Sequence, residues 1–171
     1  MQAARGTPVD DRDPNSGSSE GTSSSFLAAP RVWLLFVSVA LVLLVADQVS
    51  KVLAVRHLTG EPNVKVVGDL LQLNLTYNPG AAFSLGTRFT FALAILACVA
   101  TLVVLWISRR VQSKVWAIGL GFLFSGITGN LADRLFREPE AFHGHVVDFL
   151  MLPNWPIFNV ADICINVGVG V

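Results

Sequence analysis

Apolar residues concentrate in four stretches, at residues 32–46, 89–107, 115–131 and 157–171. A hydrocarbon core takes about 20 helical residues, with a range of roughly 17 to 25, so the second and third stretches are expected to cross a membrane. The first reaches that length if its helix continues through residues 47–55. Asp47 and Lys51 favour that continuation, because they stand at i, i+4 with the acid first, the better order for a helical ion pair. The fourth spans only ~22 Å at 1.5 Å per residue and reads as a span whose end is cut short. Between the first two stretches, residues 71–77 alternate apolar and polar side chains, the period of a half-buried strand. A small sheet on the membrane surface is expected there. It ends at Asn78-Pro79-Gly80, where Pro presets φ and Gly supplies the positive φ of a type II turn. The corner returns Ala81-Ala82-Phe83 to the bilayer.

Composition agrees with this pattern. Of 171 residues, 53% are hydrophobic and 14% charged, against about 25% charged in an ordinary soluble domain. One membrane domain over residues 31–171 is predicted. Residues 1–30 read as a disordered polar tail, running Asp10-Asp11-Arg12-Asp13-Pro14 and then rich in Ser and Gly. The tail has no apolar core, and the first span lacks a small-residue cleavage pattern at its far end. A removable signal peptide is therefore not expected. Twelve basic residues balance twelve acidic ones, and no basic stripe with interleaved aromatics appears, so no nucleic-acid partner is expected. Cys98 and Cys164 lie within apolar runs without paired spacing and read as packing residues. Arg109, Arg110 and Lys114 crowd the loop between the second and third spans, which places that loop and both termini in the cytoplasm. Trp33, Trp106, Trp116 and Trp155 fall near the predicted membrane boundaries, where indoles prefer to sit.

In that topology Asp47, Asp133, Asp148 and Asp162 all gather at the outer membrane face. An acid within a span costs roughly 2.5 to 3.5 kcal/mol on insertion scales and marks a functional site by default. Asn130 and Asp133, and likewise Asn159 and Asp162, stand at i, i+3, which puts an amide beside each acid on one helix face. A single such pair is adequately explained as helix-to-helix glue; two at one depth favour chemistry. Asp133 precedes Arg134, can be neutralised locally, and is assigned a structural role. Asp148 lies between Val146-Val147 and Phe149-Leu150 with no cation beside it, and burial should raise its pKa. Asp162 is likewise flanked only by apolar neighbours. If the two carboxyls meet they cannot both ionise, and the pair shares one proton, the arrangement by which an aspartic peptidase activates water.

Other catalytic chemistry is weakly signalled. His143-Gly144-His145 lacks a third ligand at helical spacing and reads as a polar loop. There is no HExxH or Gly-x-Ser-x-Gly pattern, and Ser84 has no evident base. No metal or other cofactor is expected.

Five motifs now stand in order: Asp47-Gln48-x-x-Lys51, Asn78-x-Gly80-Ala81-Ala82-Phe83, Gly129-Asn130-x-x-Asp133-Arg134, Val146-Val147-Asp148-Phe149 and Phe158-Asn159-x-Ala161-Asp162. From about residue 32 to the end, the chain resembles the bacterial lipoprotein signal peptidases (signal peptidase II). The resemblance implies an all-α polytopic membrane protein, with four transmembrane helices and a small extracytoplasmic β-sheet cradle. It implies an aspartic endopeptidase of the cell membrane that removes the signal peptide from diacylglyceryl-modified prolipoproteins, cutting just before the lipid-bearing cysteine. Asp148 and Asp162 would be the dyad, and Asp47, Lys51, Asn78, Gly80, Gly126, Asn130, Arg134 and Asn159 would position substrate or brace it. Prolipoprotein and membrane lipid are the expected partners of a monomer. Tyr77 departs from the basic residue usual before the motif asparagine, and Ser125 from a common Gly-Gly pair. The competing reading is a small proton-coupled transporter or channel component using the acids as relay sites. It ranks lower, because the two Asn-x-Ala-Asp strings lie on consecutive spans of opposite direction.

Overall fold

A computed structural model of the protein describes residues 29–80 and 90–171. The expected polar tail therefore lies outside the described residues as far as residue 28, and so do Ala81, Ala82, Phe83 and Ser84. In chain order the elements are α1 (Pro30–Leu58), β1 (Val64–Val67), β2 (Leu71–Asn78), α2 (Thr90–Ser108), α3 (Lys114–Phe136), β3 (Val146–Met151) and α4 (Val160–Gly170).

Helix α1 begins with Pro at its first turn, where a missing N–H is harmless. Its 29 residues reach about 43 Å, well beyond a hydrocarbon core of about 30 Å. The end beyond Asp47 is thereby free to support the sheet. Helices α1, α2 and α3 are long and apolar enough to cross a membrane, and α4 is a shorter apolar helix. Leu41, Val42, Leu96 and Leu102 are exposed on the outer faces of α1 and α2. Exposed apolar side chains in this number suit lipid rather than water. Helix α3 is the hub, packing against α1, α2 and α4. At one end Val32, Phe36, Val104, Ala117 and Leu120 form a core, with the Phe36 and Phe124 rings edge to face at 5.5 Å. Near the other end Ala54 and Leu58 of α1 pack on Val147 and Phe149 of β3.

The sheet is antiparallel in the order β1-β2-β3. Thr76, Tyr77 and Asn78 of β2 pair with Asp148, Val147 and Val146 of β3. The alternation over residues 71–77 does form a strand, but burial along it does not alternate; nearly every position is half-buried. The apolar members Leu73 and Leu75 lean on the α1 and β3 core. The polar members shield one another through side-chain hydrogen bonds, Thr76 to Asn74 at 3.2 Å and Asn74 to Asn63. At Asn78-Pro79-Gly80 the side-chain carbonyl of Asn78 accepts from the Gly80 N–H at 3.0 Å. The fourth residue of the expected type II turn lies outside the described residues.

The fourth apolar stretch is not helical from its start. Phe158 exchanges backbone hydrogen bonds with Leu150, at 2.8 and 3.0 Å, so residues 157–158 extend the sheet edge and the helix begins at Val160. Beyond α3, the Arg137 N–H donates to the Asp133 carbonyl and the Gly144 N–H to the Arg134 carbonyl. These bonds satisfy the helix end and turn the chain into β3. Cys98 and Cys164 are free thiols, half-buried and buried respectively, in accord with a packing role.

Candidate active site

Lys51 sits at the centre of a buried charge cluster. Its ammonium lies 3.0 Å from Asp47 Oδ2, 2.8 Å from Asp133 Oδ2 and 3.0 Å from Asn130 Oδ1. All three N–H donors are thus used, and Lys51 is wholly buried. The i, i+4 pair expected on α1 is present, but it is one edge of a larger network. Asp47 also accepts from the Ala161 N–H at 2.9 Å, tying α1 to the first turn of α4. Gln48 bridges Asp47 and the Gly129 carbonyl.

Asp133 is paired, but not with the neighbouring cation that the sequence suggests. Its carboxylate binds Lys51 and Arg137, the latter at 2.6 Å, and accepts from the Val147 N–H at 3.2 Å. Arg134 is not its ion-pair partner, because successive residues on a helix do not face each other. The Arg134 guanidinium instead donates to the Asn130 carbonyl at 3.0 Å and borders the cavity described below.

The amides are exchanged between acids. Asn130 does not hold Asp133; its Nδ2 donates to Asp162 Oδ1 at 2.8 Å. Asn159 is the N-cap of α4 and forms a reciprocal capping box with Asp162, each side chain bonding the other's backbone N–H. The Asn159 amide nitrogen also donates to Asp148 Oδ1 at 2.6 Å and to Asn130 Oδ1 at 3.1 Å. Asn78 Nδ2 reaches Asp148 Oδ2 at 3.0 Å. A lysine only donates, so Asn130 must present its oxygen to Lys51 and its nitrogen to Asp162. The buried cation therefore sets the orientation of amides bonded to both candidate acids.

Of the four acids, Asp47 and Asp133 are neutralised by cations. Among the described residues neither Asp148 nor Asp162 forms an ion pair. Asp148 is buried, and burial first, with repulsion from Asp162 added, pushes its carboxyl up to about 6 against the hydrogen bonds from Asn78 and Asn159. Both acids border one cavity of about 1000 Å³, as do Asn78, Gly80, Asn130, Arg134 and Trp155. Lys51, Asp47, Asp133, Asn159 and Gly126 do not line it, and the first four reach the acids through the hydrogen-bond network. A Cβ at Gly126 would lie 2.7 Å from Ile165 Cγ1 and 2.9 Å from its backbone nitrogen, and at Gly129 2.5 Å from Asp47 Oδ2. Only hydrogen at these two positions lets α4 and α1 approach α3 closely enough to assemble the network.

Arg137 and strand β3 are absent from the sequence expectations, and Gly129 stands there only as a motif residue without a role. Arg137 stands four residues after Asp133, the same signal that identified Lys51. Strand β3 is β-branched at its start, but its central acid hides the pattern. His143 lies 3.4 Å from Glu140 and stacks on Phe91 in the surface loop. Ser125 is buried, its hydroxyl donating to the Phe122 carbonyl at 2.8 Å. Tyr77 is exposed at the cavity rim.

Residues 39–171 match the family model described as Signal peptidase (SPase) II. The chain belongs to that family. It is a membrane signal peptidase, and nothing supports the transporter reading. Relatives named lipoprotein signal peptidase include that of Mycobacterium leprae (strain Br4923), 45% identical over 139 residues, which are 81% of this chain and 69% of that one. Another, from Mycolicibacterium smegmatis (strain ATCC 700084 / mc(2)155), is 48% identical over 75% of this chain and 54% of its own length. A third, from Mycobacterium tuberculosis (strain ATCC 25618 / H37Rv), is 45% identical over 79% of this chain and 67% of its own. Two solved bacterial membrane enzymes, determined by the in meso method at 2.3 and 1.9 Å resolution, share the fold. They align with TM-scores of 0.67 and 0.68 at 22% and 23% identity, over 84% of this chain and 85% and 90% of theirs.

Proposed function

We propose that the chain is an aspartic endopeptidase that releases the signal peptide from diacylglyceryl-modified prolipoproteins, cutting just before the lipid-bearing cysteine, with Asp148 and Asp162 as the catalytic dyad. The observation that carries this reading is the division among the acids. Two are held by Lys51 and Arg137, and the two without an ion pair border the cavity.

In this reading the resting pair holds one proton. Asp148, whose carboxyl is pushed up to about 6, is assigned that proton. Asp162 lies in the first turn of α4, where the positive helix end accommodates a negative charge. It takes a proton from water as the water oxygen bonds to the scissile carbonyl carbon. Asp148 polarises the carbonyl oxygen and delivers its proton there. As the C–N bond breaks, the leaving amine takes the proton from Asp162, one hydroxyl of the tetrahedral intermediate gives its proton to Asp148 as the C=O reforms, and the pair again holds one proton. Arg134 and Asn78, at the cavity wall, are assigned to positioning the substrate backbone. Asp47, Lys51, Asn130, Asn159, Gly80 and Gly126 brace the dyad.

The cluster of Arg109, Arg110 and Lys114 between α2 and α3 supports cytoplasmic termini, which puts the dyad near the outer face. Membrane lipid and prolipoprotein are the proposed partners, and the enzyme acts as a monomer. The deciding experiment incubates purified protein with a diacylglyceryl-modified precursor peptide. The native chain is expected to cut it, and Asp148→Asn and Asp162→Asn to be inactive though still inserted. Substantial turnover by either variant rules out the dyad.

A further inference from the structure

Helix α4 carries two strongly polar side chains within Val160–Gly170, Asp162 and Asn166. They stand at i, i+4 and so share a helix face, and both border the cavity. Asn166 is exposed there. An asparagine is a poor helix former, and one placed in an apolar helix at membrane depth is expected to serve a partner. Its nitrogen donates to the Asp162 carbonyl at 2.8 Å. A backbone carbonyl only accepts, so the facing atom must be Nδ2, and the orientation of the amide is settled. The second N–H and Oδ1 then have no partner among the described residues. They leave one donor and one acceptor of the same amide open towards the cavity.

A free donor and a free acceptor together suit a peptide backbone, which offers both a C=O and an N–H. An ester or phosphate offers acceptors alone and would leave Oδ1 unsatisfied, at the cost of a desolvated polar atom. We propose that Asn166 is a substrate-binding residue that pairs with the backbone of the signal-peptide side of the substrate, an inference that rests on the peptidase reading above. One helical turn is about 5.4 Å, and an extended chain advances about 3.3 Å per residue, so the residue held lies about two positions before the scissile bond. The apolar part of a signal peptide precedes the cut, and α4 runs from the dyad into its apolar length. Asn166 therefore lies on the side where that segment enters.

The test uses lipid-modified precursor peptides in which a backbone ester replaces the amide, one at a time, at each of the three residues before the modified cysteine. With the native full-length chain, one of these replacements should lower kcat/KM about fivefold, the value of one hydrogen bond. In Asn166→Leu that penalty should vanish at the same position, while penalties at other positions persist. Leucine is a better helix former than asparagine, and the penalty is a ratio measured within each enzyme, so yield does not affect it. Equal penalties in the native chain and Asn166→Leu overturn the inference and leave the peptidase reading intact. Failure of the native chain to cut the all-amide peptide overturns the peptidase reading and the inference with it.

Discussion

Replacing Asp148 with asparagine removes a charge that the fold holds at a disadvantage. The carboxyl stands at about 6 in place of its ordinary 3.8, and each pH unit corresponds to about 1.4 kcal/mol. The folded state therefore gives up about 3 kcal/mol once Asp148 is ionised, relative to a chain without that group. The sign follows from proton counting. Below about pH 4 both folded and unfolded forms hold the proton and no penalty exists. Between about 4 and 6 the unfolded chain ionises first, binds fewer protons, and gains on the native state. Above about 6 the penalty is complete. A constant term opposes the substitution, because Asn78 and Asn159 donate to opposite oxygens of Asp148 and an amide has only one. The misplaced NH2 costs about 1–3 kcal/mol at every pH. Unfolding of both proteins in the same detergent, followed from about pH 4 to 8, should show Asp148→Asn less stable at the acidic end and matching or exceeding the native chain at the alkaline end. The relative change across the range should be about 3 kcal/mol. In Asp162→Asn, the loss of its repulsion should move the inflection to lower pH. Parallel stability curves for the native chain and Asp148→Asn would show that burial does not bear on this carboxyl.

Lys51→Met leaves Asp47 and Asp133 buried without the ammonium between them, and a loss of about 3–5 kcal/mol is expected; thermal unfolding in detergent and membrane yield read it out. Asp133→Asn is expected to lower yield by weakening the link among α1, α3 and β3, with the cleavage rate per folded molecule largely kept in the precursor assay. Gly126→Ala sets a methyl against Ala161 and Ile165 and is expected to destabilise by about 1–3 kcal/mol, with precursor cleavage falling as α4 moves off α3. Arg137→Ala removes a partly exposed partner of Asp133 that retains Lys51, so a loss smaller than that of Lys51→Met is expected in the same unfolding measurement.

Much of the site was legible in short-range pattern. Residues three or four apart on a helix must share a face, so the Asp47–Lys51 pair followed from spacing alone. The apolar neighbours of Asp148 and Asp162 announced two acids without local cations, and the hydrophobic lengths announced a membrane protein whatever its packing. By itself the sequence determined those features because each depends on geometry within about one turn of backbone or on bulk transfer of side chains into lipid. Tertiary structure decided the partners. Asp133 takes Lys51 from 82 positions earlier in preference to its neighbour Arg134. Asn130 turns to Asp162, and Asn159 to Asp148, because the approach of α1 and α4 to Gly129 and Gly126 brings those groups together. Strand β3 exists because β2 and Phe158 flank it on both edges, and the face of Asn166 matters because the cavity opens beside it. Such choices are made by which elements pack at van der Waals distance, and local spacing carries no information about that.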